Sequence, residues 1–368
     1  MDLSFGRTEQ WRVRARALST GPSRAELAAV LIGALLLAGY MAFVLRSGLI
    51  DLADFRKLYV HYLEGVAALF ISLAVVGLIV LLWRERPRGG KARSPIAVIG
   101  EWIGDRWRRD WFASLLWPPL LFATLMASFN AFKQMILATA GFHYDPLFAR
   151  MDRMLFAGKD GWAFLHGLFG SAEVTRWIDF GYHSWFVPLS LGVLLCAFGG
   201  LGSFRLRTQY LLSYMLVWIL LGSVFAFLAP SAGPCFYTRF VGPSQSFAAL
   251  METLHREDAL LAVQGTGVSA LGYMNHLASV FGGQTLTVGG GISAMPSVHN
   301  GLAVLFALAA FRIDRRLGLL MAGYALMIWV GSVYLGWHYA IDGIAAALCV
   351  FLIWGVSGWL AGRLERLG

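Results

Sequence analysis

About eight stretches of this chain are apolar over the length a helix needs to cross a bilayer, roughly twenty residues. They fall at 25–45, 62–83, 111–139, 177–198, 210–228, 297–311, 317–334 and 340–360. No other feature limits the fold as strongly. Hydrocarbon offers no partner to a backbone N–H or C=O, so each run must close its own hydrogen bonds as a helix. A soluble domain fails on composition: 58% of residues are hydrophobic, 14% are charged, and the mean hydropathy is +0.64. So few charges would leave large apolar patches facing water. The expected fold class is therefore all-α: a polytopic membrane helix bundle of about eight transmembrane helices, six of which form a core. The run at 297–311 is short, as for a helix that starts below the outer surface.

The arginines give the orientation. They cluster before the first run (Arg12, Arg14, Arg16, Arg24), after the second (Arg84, Arg86, Arg88, Arg93, with Lys91) and before the third (Arg106, Arg108, Arg109). They cluster again after the fourth (Arg205, Arg207), the sixth (Arg312, Arg315, Arg316) and the eighth (Arg363, Arg366). With eight spans every cluster lies on one side, which is the cytoplasmic one. In a bacterial inner membrane both termini are then cytoplasmic and the mixed-charge loops face the periplasm. The net charge of +9 is thus a signature of topology; no basic module stands apart to bind nucleic acid. Three cysteines without CxxC or metal-type spacing indicate neither a disulfide framework nor a zinc site.

Three regions follow. Residues 1–24 read as a polar cytosolic tail without a leader-type apolar core, amphipathic around 11–16. Residues 25–110 hold two additional spans and a cytosolic loop, with 84–93 irregular and 102–111 interfacial. Residues 111–368 hold the six-helix core. On its outer side, 145–171 is expected to form short surface helices, with Arg150, Arg153, Asp145 and Asp152 in a surface salt-bridge network. The long outer loop 230–295 is expected to act as a lid, with Gly289, Gly290 and Gly291 as a hinge or turn. His143, His166, His255 and His276 are expected to be solvated.

Ionisable groups next to hydrocarbon are costly and mark function. His299 opens the sixth run, in Met295-Pro296-Ser297-Val298-His299, and His338 with Asp342 opens the eighth. The topology puts both on the outer face. His338 and Asp342 are four apart, so on a helix they share a face, and a carboxylate there can set the tautomer of an imidazole. Phosphoryl transfer through a covalent intermediate needs a nucleophile with a poised partner, an acid for the leaving oxygen, and donors for the phosphate. His338 and Asp342 suit the first requirement and His299 the second. Ser297, opening a helix, supplies a hydroxyl and free N–H groups as a phosphate seat. Lys133 and Arg239 are candidate phosphate-binding cations. Tyr237, beside Arg239, and His183, near the outer end of the fourth run, are candidate substrate contacts. The plainer readings are that Lys133 snorkels to headgroups, Arg239 faces water and His183 packs. No cofactor or metal is required.

These residues resemble the type 2 phosphatidic acid phosphatase superfamily, whose second motif reads PSGH and whose third reads SR, five residues, HxxxD. Pro296-Ser297-Val298-His299 matches the second with Val for Gly. His338-Tyr339-Ala340-Ile341-Asp342 matches the HxxxD of the third. The resemblance implies His338 as nucleophile, Asp342 as its orienting partner and His299 as general acid. The Ser and Arg of the third motif fall at Gly331 and Ser332, so that arginine is absent. Lys133 lacks the Arg-Pro that follows the lysine of the first motif. The Met295–His299 run, Gly336-Trp337-His338-Tyr339, the Gly-Pro-Cys-Phe-Tyr loop at 233–237 and Asp145-Pro146-Leu147 with Asp152-Arg153 are similar to the inositol phosphorylceramide synthase branch and its bacterial relatives. The likeness covers roughly 115–360.

The expected function is an integral membrane lipid phosphotransferase or phosphatase acting at the non-cytoplasmic face through a phosphohistidine. Its substrate would be a phospholipid or prenyl phosphate, and its acceptor a lipid or polyol alcohol, or water. The branch favours transfer; the wider superfamily favours hydrolysis. Two other classes compete. In a transporter or flippase, His and Asp would relay protons, but charged mid-span residues and matched helix breaks are missing. In a metal site, His299, His338 and Asp342 would be ligands, but no further ligand is in register.

Overall fold

The computed structural model describes residues 23–84, 94–98, 100–101, 116–197 and 203–367, and the regular structure in them is helical, without a strand. The expected amphipathic tail segment and the segments at 85–93 and 102–111 lie outside the described residues.

Helix α1 (Arg24–Arg46) starts at a capping box in which Ser23 and Glu26 exchange side-chain-to-backbone hydrogen bonds. Helix α2 spans Leu52–Arg84. Helix α3 (Trp117–Ala131) runs on through a π-helical turn, Phe132–Ile136, and a 3₁₀ turn, Leu137–Ala140. Three short outer helices follow: α4 (Asp145–Leu155), α5 (Gly161–Phe169) and α6 (Ala172–His183). After α7 (Phe186–Ala197), α8 (Phe204–Leu216) continues as a π-helix over Val217–Phe225. The outer segment contains α9 (Gln245–Ala262) and α10 (Ser269–Val280). The chain ends with α11 (Val298–Phe311), α12 (Arg315–Tyr334) and α13 (Ala340–Glu365).

Six helices among the described residues are long and apolar enough to span a membrane: Arg24–Arg46, Leu52–Val80, Trp117–Ala140, Phe204–Leu228, Arg315–Tyr334 and Ala340–Glu365. Two of the eight expected spans differ: the second helix begins at Leu52, ten residues before the expected start at 62, and the fourth run is divided. The run at 177–198 is not one helix but α6 and α7, broken at Ser184 and Trp185. The run at 297–311 is the 14-residue α11. Helix α11 lies at the centre, packed on α12, α13, α7 and the π-helical part of α8. Gly301 lets it approach closely: a Cβ there would meet Leu221 at 2.9 Å and Val350 at 3.3 Å.

Helices α1 and α2 pack on α3, and α1 also touches α8 and α13. The Tyr40 hydroxyl lies 2.6 Å from the Ser223 hydroxyl, and Arg207 pairs with Glu26 at 2.9 Å. Their other faces expose Leu31, Leu35, Ile71, Val75 and Ile79, as a lipid-facing pair does.

Outside the bundle, three expectations change. The loop 230–295 is largely helical, because α9 and α10 carry apolar faces that bury Phe247, Leu250, Leu254, Leu271 and Met274. His166 is not solvated: its ring stacks on Tyr334 at 3.8 Å and its Nε2 meets the Tyr334 carbonyl at 3.2 Å. The surface salt-bridge network does not form either. Asp145 and Asp152 are buried at 0% and 3% exposure, and Arg153 pairs with Asp160 at 2.8 Å instead.

Candidate active site

The site is built where α11 and α13 begin side by side. Ser297 caps α11: its Oγ accepts from the Asn300 N–H at 3.3 Å and from Asn300 Nδ2 at 2.9 Å. The Ser297 N–H donates to the Asp342 carbonyl at 3.2 Å, which ties the two helix starts together. Asn300 Nδ2 also reaches Ser332 Oγ at 3.1 Å, and the Ser332 carbonyl accepts the His338 N–H at 3.1 Å. Ser332, the position where the resemblance expects an arginine, is thus a buried brace between α11 and the His338 loop. The Met295–Pro296 peptide is cis.

His299 and His338 come together, with ring centroids 6.1 Å apart. His338 is 6% exposed. Its Nδ1 lies 2.9 Å from the Ala294 carbonyl and 3.4 Å from Asp342 Oδ2. A carbonyl can only accept, so Nδ1 carries the hydrogen and Nε2 keeps its lone pair. Burial pushes the His338 imidazole down to about 3; the Ala294 hydrogen bond opposes this and the Lys133 ammonium adds to it. Asp342 Oδ2 also accepts from the Tyr339 N–H at 3.0 Å. His299 is held by aromatic rings: Tyr182 stacks on it at 5.3 Å, and Trp185 lies at 4.0 Å while donating Nε1–H to the His299 carbonyl at 3.2 Å.

Lys133 sits on the π-helical turn of α3, a distortion frequent at functional sites. Its ammonium acts electrostatically on both imidazoles, and it makes no ion pair among the described residues. The strap 287–294 presses against this turn. Gln134 takes both the N–H and the hydroxyl of Thr287 at 3.0 Å, and Asn130 and Gln134 donate to the Thr287 carbonyl at 2.7 and 2.6 Å. Gly291, at φ +89°, passes so close that a Cβ would lie 2.8–2.9 Å from Lys133 atoms. The strap ends at Ala294, whose carbonyl orients His338.

Of the remaining candidates, His183 acts electrostatically on His299 from beside Tyr182, while Arg239 and Tyr237 are engaged elsewhere. His183 Nδ1 meets the Asp179 carbonyl at 2.8 Å and Asp179 Oδ1 at 3.1 Å, and its ring stacks on Tyr273 of α10. Arg239 spends a guanidinium N–H on the Ala278 carbonyl at 3.3 Å and lies over Phe240. The Tyr237 ring packs on Phe247 at 4.7 Å. Neither Arg239 nor Tyr237 has a contact with the two imidazoles.

The sequence profile of the PAP2 superfamily matches residues 147–356, more than half of the chain. The chain belongs to the PAP2 superfamily. No curated protein and no solved structure matches it. PAP2 members are phosphatases and phosphotransferases, and a membrane-embedded PAP2 protein acts on lipid phosphates in a bilayer. The match contains His299, His338 and Asp342 and begins after Lys133. Among the described residues of this PAP2 chain, no group of three or more His, Cys, Asp and Glu has a metal-holding arrangement.

Several parts of the site were not found by sequence reasoning. The Ala294 carbonyl is invisible to it, because every residue has one. The Tyr182 and Trp185 rings come from the helix break at 184–185, which hydropathy smoothed over. Asp145 and Asp152 did carry a signal: seven residues apart on a helix, they share a face, and an inward face makes them part of the site's frame.

Proposed function

We propose that this PAP2 protein transfers a phospho-headgroup from a lipid to a lipid or polyol alcohol through a phosphohistidine on His338, at the non-cytoplasmic face of the membrane. The observation that carries the reading is the pairing of the imidazoles. One has its Nδ1–H committed to a carbonyl and its Nε2 lone pair free, and the other ring stands 6.1 Å away. A phosphorus atom bound between them meets a nucleophile on one side and a proton carrier on the other.

In the first step His338 Nε2 attacks phosphorus and the bond to the lipid oxygen breaks. His299, as imidazolium, gives its proton to that oxygen, and the lipid alcohol leaves. In the second step an acceptor hydroxyl gives its proton to His299 and attacks phosphorus, and the N–P bond breaks. Lys133 and the first-turn N–H groups of α11 hold the phosphate oxygens, which suits a helix N-terminus. Ser297 shapes that turn as its cap. The similarity to the inositol phosphorylceramide synthase branch favours an alcohol acceptor over water. The arginine clusters support a site on the periplasmic side of an inner membrane.

The test is incubation of the purified protein with labelled phospholipids and prenyl phosphates, with and without ceramide, diacylglycerol and inositol, in chelator. A new labelled lipid that needs the acceptor, together with acid-labile, alkali-stable phosphate on the protein, is the expected result. Free phosphate alone marks a phosphatase and removes the transfer step. Loss of activity in chelator, or activity that survives His338→Ala, overturns the phosphohistidine reading.

A further inference from the structure

Helix α4 turns an acidic face inward. Asp145 and Asp152 lie two turns apart, both buried, and neither makes an ion pair among the described residues. Their oxygens are spent on the frame around His338. Asp145 Oδ1 accepts from the Ser231 hydroxyl at 2.9 Å, the Gly233 N–H at 2.9 Å and the Tyr339 hydroxyl at 3.0 Å; Oδ2 accepts from the Ala232 N–H at 2.8 Å. Asp152 accepts from the Ala340 N–H at 3.0 Å and the Ile341 N–H at 3.1 Å, the first two N–H groups of α13. Tyr339, the N-cap residue of α13, makes no side-chain cap hydrogen bond of its own.

The two carboxylates grip His338 from both sides. On one side, Ser231 held by Asp145 offers its carbonyl to the Ala294 N–H at 2.9 Å, and the Ala294 carbonyl takes the His338 Nδ1–H. On the other, Tyr339 is tied to Asp145, and the helix start two residues beyond His338 is tied to Asp152. Gly233 must pass tightly here, at φ +89°: a Cβ would stand 2.6 Å from the Trp337 carbonyl. We propose that Asp145 and Asp152 are positioning residues, which fix the direction of the His338 imidazole by holding the Ala294 carbonyl and the first turn of α13 in register. The role in turnover rests on reading His338 as the nucleophile; the positioning itself does not.

The experiment pairs kinetics with ¹⁵N-histidine spectra of the full chain in detergent, the His338 ring signals being assigned with His338→Gln. Asp145→Asn and Asp152→Asn each place an NH₂ against backbone N–H donors. Both are expected to move the His338 ring signals and leave those of exposed His255 and His276 in place. They should lower kcat by about 10–100-fold with KM within about twofold, as a misdirected nucleophile does. Asp152→Glu, which keeps the charge, should recover part of the loss. Folded Asn variants with wild-type His338 signals and wild-type kcat overturn the proposal. If wild-type protein transfers no phosphate while the His338 signals move as stated, the functional reading falls and the positioning stands. If His338→Gln abolishes turnover while the Asn variants match wild type, the positioning falls alone. Should an Asn variant fail to fold, Tyr339→Phe and Ser231→Ala each delete a single O–H donor to Asp145. Unmoved His338 signals in both then overturn the proposal.

Discussion

The His338 ring is oriented chiefly by a carbonyl, with Asp342 half an ångström further away. That ranking has a measurable consequence. In a triad whose carboxylate alone sets the tautomer, amide replacement costs on the order of 10⁴-fold. Here the Ala294 carbonyl keeps Nδ1–H in place, so Asp342→Asn is expected to cost only about 10–100-fold in kcat. His299→Ala is expected to slow release of alkyl alcohols far more than release of nitrophenol from an aryl phosphate, since a good leaving group needs no proton; equal losses count against the acid role. The acid limb of the kcat/KM profile follows from the sign of the His338 shift. A pKa pushed down to about 3 keeps the ring neutral and nucleophilic far below the ordinary histidine range, so His338 should cause no loss between pH 7 and 5. Lys133→Met removes a cation that disfavours the imidazolium, so the His338 pKa rises and its limb moves to higher pH. At this scale the sequence made the ionisable residues legible, because His and Asp at the mouths of apolar runs are conspicuous. It could not rank the partners of His338, since a backbone carbonyl has no letter of its own.

Elements set where those residues can stand. The π-helical turn of α3 carries Lys133 to the strap, and the strap delivers the Ala294 carbonyl. Gly291 is the point of closest approach. Gly291→Ala adds a methyl group into Lys133 at a left-handed φ, with an expected cost of about 1–3 kcal/mol and a drop in kcat. Thermal unfolding in detergent and turnover of the variant check both, and a variant as stable and active as wild type refutes the close packing. Helix type and approximate bounds were legible for the long apolar runs: α1, α12 and α13 start within a few residues of expectation. The break between α6 and α7 was missed because hydropathy runs across it, although Pro188 marks it: proline has no N–H for the Ser184 carbonyl, which takes the Val187 N–H instead. The helical content of 230–295 was hidden by its glycines, five of which (Gly242, Gly265, Gly267, Gly282 and Gly283) flank α9 and α10.

The whole molecule is a bundle whose first two helices meet it along one side, so lipid touches most of α2 and much of α1. Its orientation can be read directly. Gln264→Cys, in the exposed turn just past α9, should react with an impermeant maleimide in intact spheroplasts. Arg366→Cys, past the end of α13, should react only after lysis. The reverse pattern would place the imidazoles in the cytoplasm. Sidedness is an expectation that arginine placement alone supplies and this labelling tests, whereas the meeting of α11 and α13 needed coordinates. One dimension of that meeting sets what a substrate must do. At about 1.5 Å per residue, the fourteen residues of α11 cover roughly 21 Å, and the hydrocarbon layer is about 30 Å thick. The reacting phosphorus would therefore be met several ångströms down, at the depth of the glycerol backbone. Raising a sixteen-carbon tail into water costs about 0.8 kcal/mol for each methylene. With His299 and His338 as the proposed catalyst, a short α11 would make that ascent needless: the anionic head would sink to them while the greasy end stays where it already floats.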